Sequence, residues 1–304
     1  MGVKYRLSYC NKDATPLRLD IEDSSYSGAI LPIKAASNPF TLSMLNDSEF
    51  AKLGTIRATE ATIEVLSSDD FNIDLLADNS ETKLNVKFYF NNVLEWTGFI
   101  LPDFYQETIN KDKIVNITAT DRLGILKDVP FPENYQNISL LDIVKTCLLK
   151  TGLSLNIVTL IGYNAVGKSL DNRPLEVQAI GERLFNQNGD VINCYDVLMS
   201  VLDTFNCFIT QFRGKWHIIN KQQLETGLGR LIEYNPDILN NTIVSNTEFS
   251  RGVYLLDKVY SGGERILRPV LSDVGILGEF GGSILYPKNN NFRIWTGIEF
   301  VNWT

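Results

Sequence analysis

The chain has 304 residues, 44% hydrophobic and 21% charged. That length calls for about two domains with cores of their own, and that composition excludes wholesale disorder, a collagen-like repeat and a disulfide-framework peptide. The net charge is -8; residues 1–130 hold 13 basic and 19 acidic residues and the remainder 15 and 17. No window carries the clustered Lys and Arg of a phosphate-binding groove, which argues against nucleic acid as a groove-bound ligand, whereas a wall past which DNA slides without sticking is compatible with this balance.

The first 130 residues read as β. Lys4–Tyr9 alternates with period two, Leu17–Ile21 follows the turn-forming Asn11–Pro16, and together they predict an opening hairpin. Further alternating runs lie at Thr59–Leu66, Leu84–Phe90, Leu94–Leu101 and Ile114–Thr120, separated by Ser67-Ser68-Asp69-Asp70, Asn91-Asn92 and Asn110-Lys111-Asp112. Short strands at this spacing predict a barrel or sandwich, with one helical turn at Leu75-Leu76. After Pro130 and Pro132 the period changes. Ser139–Leu149 places apolar residues at helical spacing behind a Ser139 or Asn137 cap and ahead of Gly152. A strand over Leu153–Leu160 follows, then a polar loop to about Pro174 and a second helix over Tyr195–Phe205. The hairpin Cys207–Phe212 and Lys215–Ile219 turns at Arg213-Gly214, where glycine accepts a positive φ. Residues 221–304 return to strands and Asn- and Gly-rich loops, ending in an aromatic stretch that holds Trp295, Phe300 and Trp303. The fold class expected is therefore α+β, mainly β, with a barrel or sandwich at 1–130, a helix-strand-hairpin domain at 131–230, and a loop-rich β segment at 231–304 that returns to the barrel or begins a further module.

Motifs for chemistry are weak. Gly162–Ser169 fits G-x-x-x-x-G-K-[ST] after an apolar strand, but Pro174 breaks the helix that a phosphate loop needs behind its Lys-Ser pair. His217 alternates into a strand with no nucleophile beside it. Asp69, Asp70 and Asp74, or Glu60 and Glu64, are formal acid-base pairs, and Asp69, Asp70, Asn72 and Asp74 a formal cation set without the Gly and distal Glu of a calcium loop. Cys10, Cys147, Cys194 and Cys207 form no C-x-x-C pair and read as buried thiols in a reducing compartment. No apolar run reaches a membrane span's length, and the first residues alternate rather than forming a signal segment. No cofactor, metal or catalytic residue is assigned.

Three stretches together resemble a known family. Leu94–Asp103 contains Trp96-Thr97-Gly98-Phe99-Ile100, similar to a W-x-G-x-I element, and Ala119–Asp128 is similar to A-x-D-G-L-x-x-L-K, with Arg122 standing where that pattern has Gly. The second stretch is the Ser139–Lys150 helix with Thr151–Leu155, and the third runs from Cys194 through Phe205 to Ile219. They resemble hub proteins at the tail tip of tailed bacteriophages, especially those from phages and prophages of Bacteroidetes. The resemblance implies a non-catalytic structural subunit of the virion tail, assembled in the bacterial cytoplasm. Its tail-tube-like barrels would form a homotrimeric ring around the DNA channel, joined to a distal tail or tube protein and to the tape measure protein. DNA would pass without specific binding. Interface candidates under this reading are Trp96, Phe99, Phe104, Tyr105, Trp295, Phe300 and Trp303, although barrel core is the first expectation for Trp96, and the C-terminal aromatics would begin a host-glycan-binding extension. The alternative is a glycan-binding or glycan-hydrolysing β-sandwich at a cell surface.

Overall fold

A computed structural model of the chain describes residues 2–11, 14–44, 54–68, 71, 76, 80, 82–107, 113–132, 138–161, 173–179, 186–187, 190–226, 229–238, 242–248, 293–296 and 299–302. They fall into two compact units, 1–262 and 263–304.

The first unit opens with a closed barrel. Its strands are β1 (Gly2–Cys10), β2 (Pro16–Asp23), β3 (Leu31–Met44), β4 (Thr59–Leu66), β5 (Leu84–Phe90), β6 (Val93–Glu107) and β7 (Ile114–Thr120), in the order β1-β2-β5-β6-β7-β4-β3. Neighbours pair antiparallel except at the closure, where Tyr5–Leu7 of β1 lies parallel to Leu31–Ile33 of β3. Alternation of side chains across each strand sends one set inward, clearest in β4, whose residues are alternately buried and half-buried. Tyr5, Leu7, Leu19, Ile21, Phe40, Ile63, Val86, Phe88, Trp96 and Ile117 fill the interior. Phe40 stacks on Phe88 with ring centroids 3.9 Å apart, and Tyr5 meets Phe71 edge-on at 4.8 Å. The alternation rule does not mark β3, because Pro32 and Pro39 and a register shift between Ala35 and Phe40 break its period. The β5–β6 hairpin turns on Asn91 and Asn92, both at positive φ (48° and 63°), the two-residue turn whose twist suits paired strands.

Beyond the barrel, α1 (Leu140–Leu149) begins where sequence reading puts it. Ser139 Oγ accepts the Asp142 N–H at 3.0 Å and donates to the Asp142 carboxylate at 2.6 Å. Before it, β8 (Ile138–Ser139) pairs with β10 (Gln178–Ala179). The expected strand from Leu153 starts only at Ile157, as β9 (Ile157–Leu160): Gly152 turns the chain at φ +84°, Thr151 Oγ1 takes the Leu153 N–H, and Leu153 drops into the core. A short pair, β11 (Asn186–Gln187) and β12 (Asp190–Val191), precedes α2 (Cys194–Thr204), capped by Asn193. Then come the hairpin β13 (Cys207–Phe212) and β14 (Lys215–Asn220), the short α3 (Lys221–Thr226), β15 (Arg230–Tyr234) and β16 (Ile243–Glu248). Five of these strands form one sheet in the order β13-β14-β9-β15-β16, with β9 parallel to β14. α1 and α2 bury Leu141, Val144, Leu148, Val197, Leu198 and Val201 in a second core that also takes in Trp216 and, from the barrel's outer surface, Phe99.

The second unit contributes one described element, the antiparallel hairpin β17 (Arg293–Thr296) and β18 (Glu299–Asn302).

Candidate functional site

The residues singled out by sequence scatter. Trp96 is wholly buried inside the barrel. Its Nε1 donates to Thr59 Oγ1 at 2.9 Å, and its ring lies where a Cβ on Gly98 would be, so the Trp-x-Gly spacing leaves room for an indole folded over its own strand. Phe99 points the other way and is covered by the second core of the same chain, against Gly152. Trp216, like Trp96, is wholly buried, so neither offers a flat platform for a sugar ring. Phe104 and Tyr105 belong to β6 and Trp295 pairs with Phe300 across β17 and β18, but their side chains, and Trp303 altogether, lie outside the described residues. So do the Gly162–Ser169 motif, Asp69, Asp70, Asn72, Asp74 and the helical turn at Leu75.

Glu60 and Glu64 sit on the outer face of β4, four residues apart along one strand. Their Cα atoms are thus separated by about 13 Å, with Thr62 between them on the same face. His217 is buried in β14 with its ring 5.6 Å from that of Phe212, and burial, helped by Lys215, pushes its imidazole down to about 4. Among the described residues no three His, Cys, Asp or Glu side chains are grouped to hold a metal ion.

Asp121, at the exit of β7, is the buried polar centre of the barrel rim. Thr59 donates to its Oδ2 through both N–H (2.8 Å) and Oγ1 (2.6 Å), and the Leu123 N–H donates to Oδ1 at 3.1 Å. Burial pushes the carboxyl up to about 6, against the pull of those bonds. The motif's aspartate therefore ties the start of β4 to the turn after β7. Arg122, where the resembling pattern carries glycine, has φ +62°, and its guanidinium lies 5.5 Å from the Phe99 ring. A left-handed backbone is what makes glycine the easier residue there.

The outer wall of the barrel has two electrostatic characters. Over β1, β2 and β5 it is a ladder of ion pairs. Arg6 forks onto Asp20 at 2.6 and 3.0 Å, and Arg18 lies 3.3 Å from the same carboxylate with its guanidinium 4.0 Å above Tyr89. Lys87 reaches Glu22 at 2.9 Å, and Lys4 reaches Asp23 at 3.7 Å. The Asp20 bond holds the Arg6 guanidinium above its usual range. Burial works to raise Asp23, but two bonds from Ser25, with Lys4 and Lys83 nearby, hold it low. Over β3, β4 and β7 the register instead lines up Ser43–Glu60–Thr120, Thr41–Thr62–Thr118 and, continuing onto β6, Glu64–Asn116–Gln106. These three rows are hydroxyls, amides and carboxylates, without a lysine or arginine.

The third side of the wall is joined to the sheet. Ile209 of β13 bonds to the segment before β4, its N–H to Thr55 O at 2.8 Å and its carbonyl to Arg57 N–H at 2.9 Å. Gln211 accepts the Thr97 N–H at 2.6 Å and donates to Thr97 O at 2.8 Å, and Gly214 N–H donates to Glu95 O at 3.1 Å. The β13 edge is thereby closed, and barrel and sheet are held in one orientation. Thr59, Thr97 and Gln211 carry no sequence signal for these roles, since their partners lie 37 to 114 residues away.

No protein-family model matches the chain, and no curated protein matches it. Among solved structures it is similar to the tail protein from Neisseria meningitidis MC58, with 11% identity and a TM-score of 0.40 over 66% of this chain and 50% of that one. It is also similar to the 43 kDa tail protein of prophage MuSo2 from Shewanella oneidensis (10%, TM-score 0.34, 66% and 54%). A third is the prophage tail protein gp18 from Listeria monocytogenes EGD-e (12%, TM-score 0.34, 67% and 51%). The matched region spans about half the length of each of these proteins.

Proposed function

We propose that the chain is a structural subunit of a bacteriophage tail tip, a baseplate hub of the type its motifs resemble. Copies form a trimeric ring around the DNA channel and link the tube to host-contacting parts. The observation that carries this reading is the closed barrel whose β3-β4-β7 wall, with Glu60 and Glu64 among hydroxyls and amides, holds no cation in three of the four outward rows of β4, Lys34 standing in the fourth opposite Leu66. Such a wall suits a bore that must let a polyanion pass, because each Lys or Arg would retain phosphate by counterion release. The ion-paired β1-β2-β5 wall, with its charges largely neutralised in place, is the side offered to the neighbouring barrel. Partners on this reading are further copies of the chain, a distal tail or tube protein and the tape measure protein, and the location is the virion tail after assembly in the bacterial cytoplasm. No catalytic step is assigned.

Light scattering and negative-stain electron microscopy of the purified chain test the reading together. A trimeric ring with an open centre is expected, and Glu60→Lys/Glu64→Lys should confer salt-sensitive retention on duplex DNA that the unaltered ring lacks. A monomer at all concentrations overturns the proposal.

A further inference from the structure

Buried polar groups from three parts of the barrel form a chain that ends in a carboxylate. Trp96 of β6 donates its indole N–H to Thr59 Oγ1 at 2.9 Å. Thr59, at the start of β4, donates its hydroxyl hydrogen to Asp121 Oδ2 at 2.6 Å and its N–H to the same oxygen at 2.8 Å. The Leu123 N–H, in the turn that leads into the second core, donates to Asp121 Oδ1 at 3.1 Å. Trp96 and Asp121 are wholly buried and Thr59 nearly so. Among the described residues no cation pairs with this carboxylate. The Arg122 guanidinium is set against the Phe99 ring, Glu60 sits on the outer face of β4, and Glu95, next to Trp96, is itself a buried acid. Burial and the bonds from Thr59 and Leu123, rather than a neighbouring charge, therefore govern whether Asp121 carries a proton.

We propose that Trp96, Thr59 and Asp121 form a proton switch at the barrel rim, in which protonation of the carboxylate reverses the Thr59–Asp121 hydroxyl bond and weakens the hold on Leu123. The inventory of donors and acceptors carries the argument. With Asp121 ionised, the Trp96 indole, the Thr59 hydroxyl and the amides of Thr59 and Leu123 all have an acceptor within the chain. A proton arriving from solvent on Oδ2 makes that atom a donor facing Thr59 Oγ1 at 2.6 Å. The hydroxyl must then accept from Asp121, as it already does from Trp96, and swing its own hydrogen out of the line. Oδ1 at the same time becomes a neutral carbonyl oxygen, and its bond from the Leu123 N–H loses the charge assistance that makes such bonds about twice as strong as neutral ones. The main-chain bond from the Asp121 N–H to Thr59 O, 3.1 Å, belongs to both states, so the rim stays closed while the hydroxyl rotates. Leu123 and Leu126 enter the second core from this turn, which places the switch at the joint between the two cores. Two costs oppose each other: burial disfavours the charged carboxylate, and the surplus hydrogen disfavours the neutral one.

The test is NMR of the full chain, labelled with nitrogen-15 in tryptophan and leucine and with carbon-13 in the aspartate carboxyls, and titrated on both sides of the midpoint of about 6 expected for Asp121. Of the four indole signals, the one that Trp96→Phe removes should move with the Asp121 carboxyl, and the Leu123 amide should move with it at the same midpoint. In Thr59→Val the Leu123 amide should still follow the carboxyl while the indole no longer does. In Asp121→Asn both signals should be flat. His217, the one histidine of the chain, is replaced by Gln in a control that should leave the titration in place. A carboxyl that does not titrate in this range overturns the proposal, as do indole and Leu123 signals that stay flat while it does. So does a titration that survives Asp121→Asn or vanishes with His217. Should Asp121→Asn not fold, the carboxyl signal of the unaltered chain, followed beside the indole, decides the same question.

Discussion

Gln211 holds both backbone groups of Thr97, accepting its N–H at 2.6 Å and donating to its carbonyl at 2.8 Å. A side-chain amide thus acts as one more strand residue against β6, at a point where both partners are buried. Gln211→Leu fills the space but leaves two buried backbone groups unmet. A loss of about 2–4 kcal/mol is expected by urea unfolding, with Trp96 and Trp216, one in each core, as separate fluorescence reporters in single-Trp backgrounds. Were the loss below about 0.5 kcal/mol, the bond would be incidental to the union of barrel and sheet.

Gly98 and Gly124 offer a matched pair. A methyl group on Gly98 would collide with the Trp96 ring and the Thr120 carbonyl, whereas one on Gly124 meets nothing within 4 Å. Gly98→Ala should cost about 2–4 kcal/mol, because a filled barrel interior has nowhere to send an indole. Gly124→Ala should stay within about 0.5 kcal/mol of the unaltered chain. Thermal and urea unfolding of the two variants side by side check this.

Arg122 has φ +62°. Replacement by glycine relieves a strained backbone while giving up the packing over Phe99, and the two effects nearly offset, so Arg122→Gly should lie within about 1 kcal/mol of the starting protein. Arg122→Val retains the strain and adds branching at Cβ, and should cost about 1–2 kcal/mol. If valine is tolerated as well as glycine, the left-handed turn is not what that position selects for.

Asp121 and His217 oppose one another in pH dependence. With Asp121 pushed up to about 6 by burial, the folded chain holds a proton there that the unfolded chain has lost. Its contribution is therefore greatest below about pH 4 and declines as pH rises towards 6. With His217 pushed down to about 4 by burial, the unfolded chain holds the extra proton, so its contribution is present above about pH 6.5 and lost as pH falls towards 4. Urea unfolding across pH 4 to 7 should show that His217→Gln makes stability fall more steeply with rising pH than in the unaltered chain, and that Asp121→Asn does the opposite. Parallel profiles for all three proteins would contradict the assignment.

How much of this was legible in the sequence follows from the range of each interaction. Strands β1, β2, β4, β5 and β7 announce themselves because every second residue must face a dry interior, and that demand is written locally. The Ser139 cap is local too: hydroxyl and first-turn N–H lie three residues apart. Asn193 caps α2 by the same spacing, one residue ahead of a helix that starts at Cys194 rather than the expected Tyr195. β3 escapes because prolines and a bulge interrupt its period, and β9 begins late because Thr151 and Gly152 turn the chain first. At the candidate surface, Trp96 and Gly98 could be paired from their spacing, but not the destination of the indole. The two wall characters depend on which strands are neighbours, which alternation alone does not reveal.

Periodicity and capping in the chain itself determined that this protein is mainly β with two helices set into its middle. Only the tertiary structure decided that the sheet closes on itself, that Thr97 meets Gln211, and that Glu60 and Glu64 share one outward face with hydroxyls and amides from neighbouring strands. The physical reason is the same in each case. Secondary structure answers to neighbours within a turn or a strand, whereas these contacts join residues distant along the chain and exist only once the two cores have excluded water.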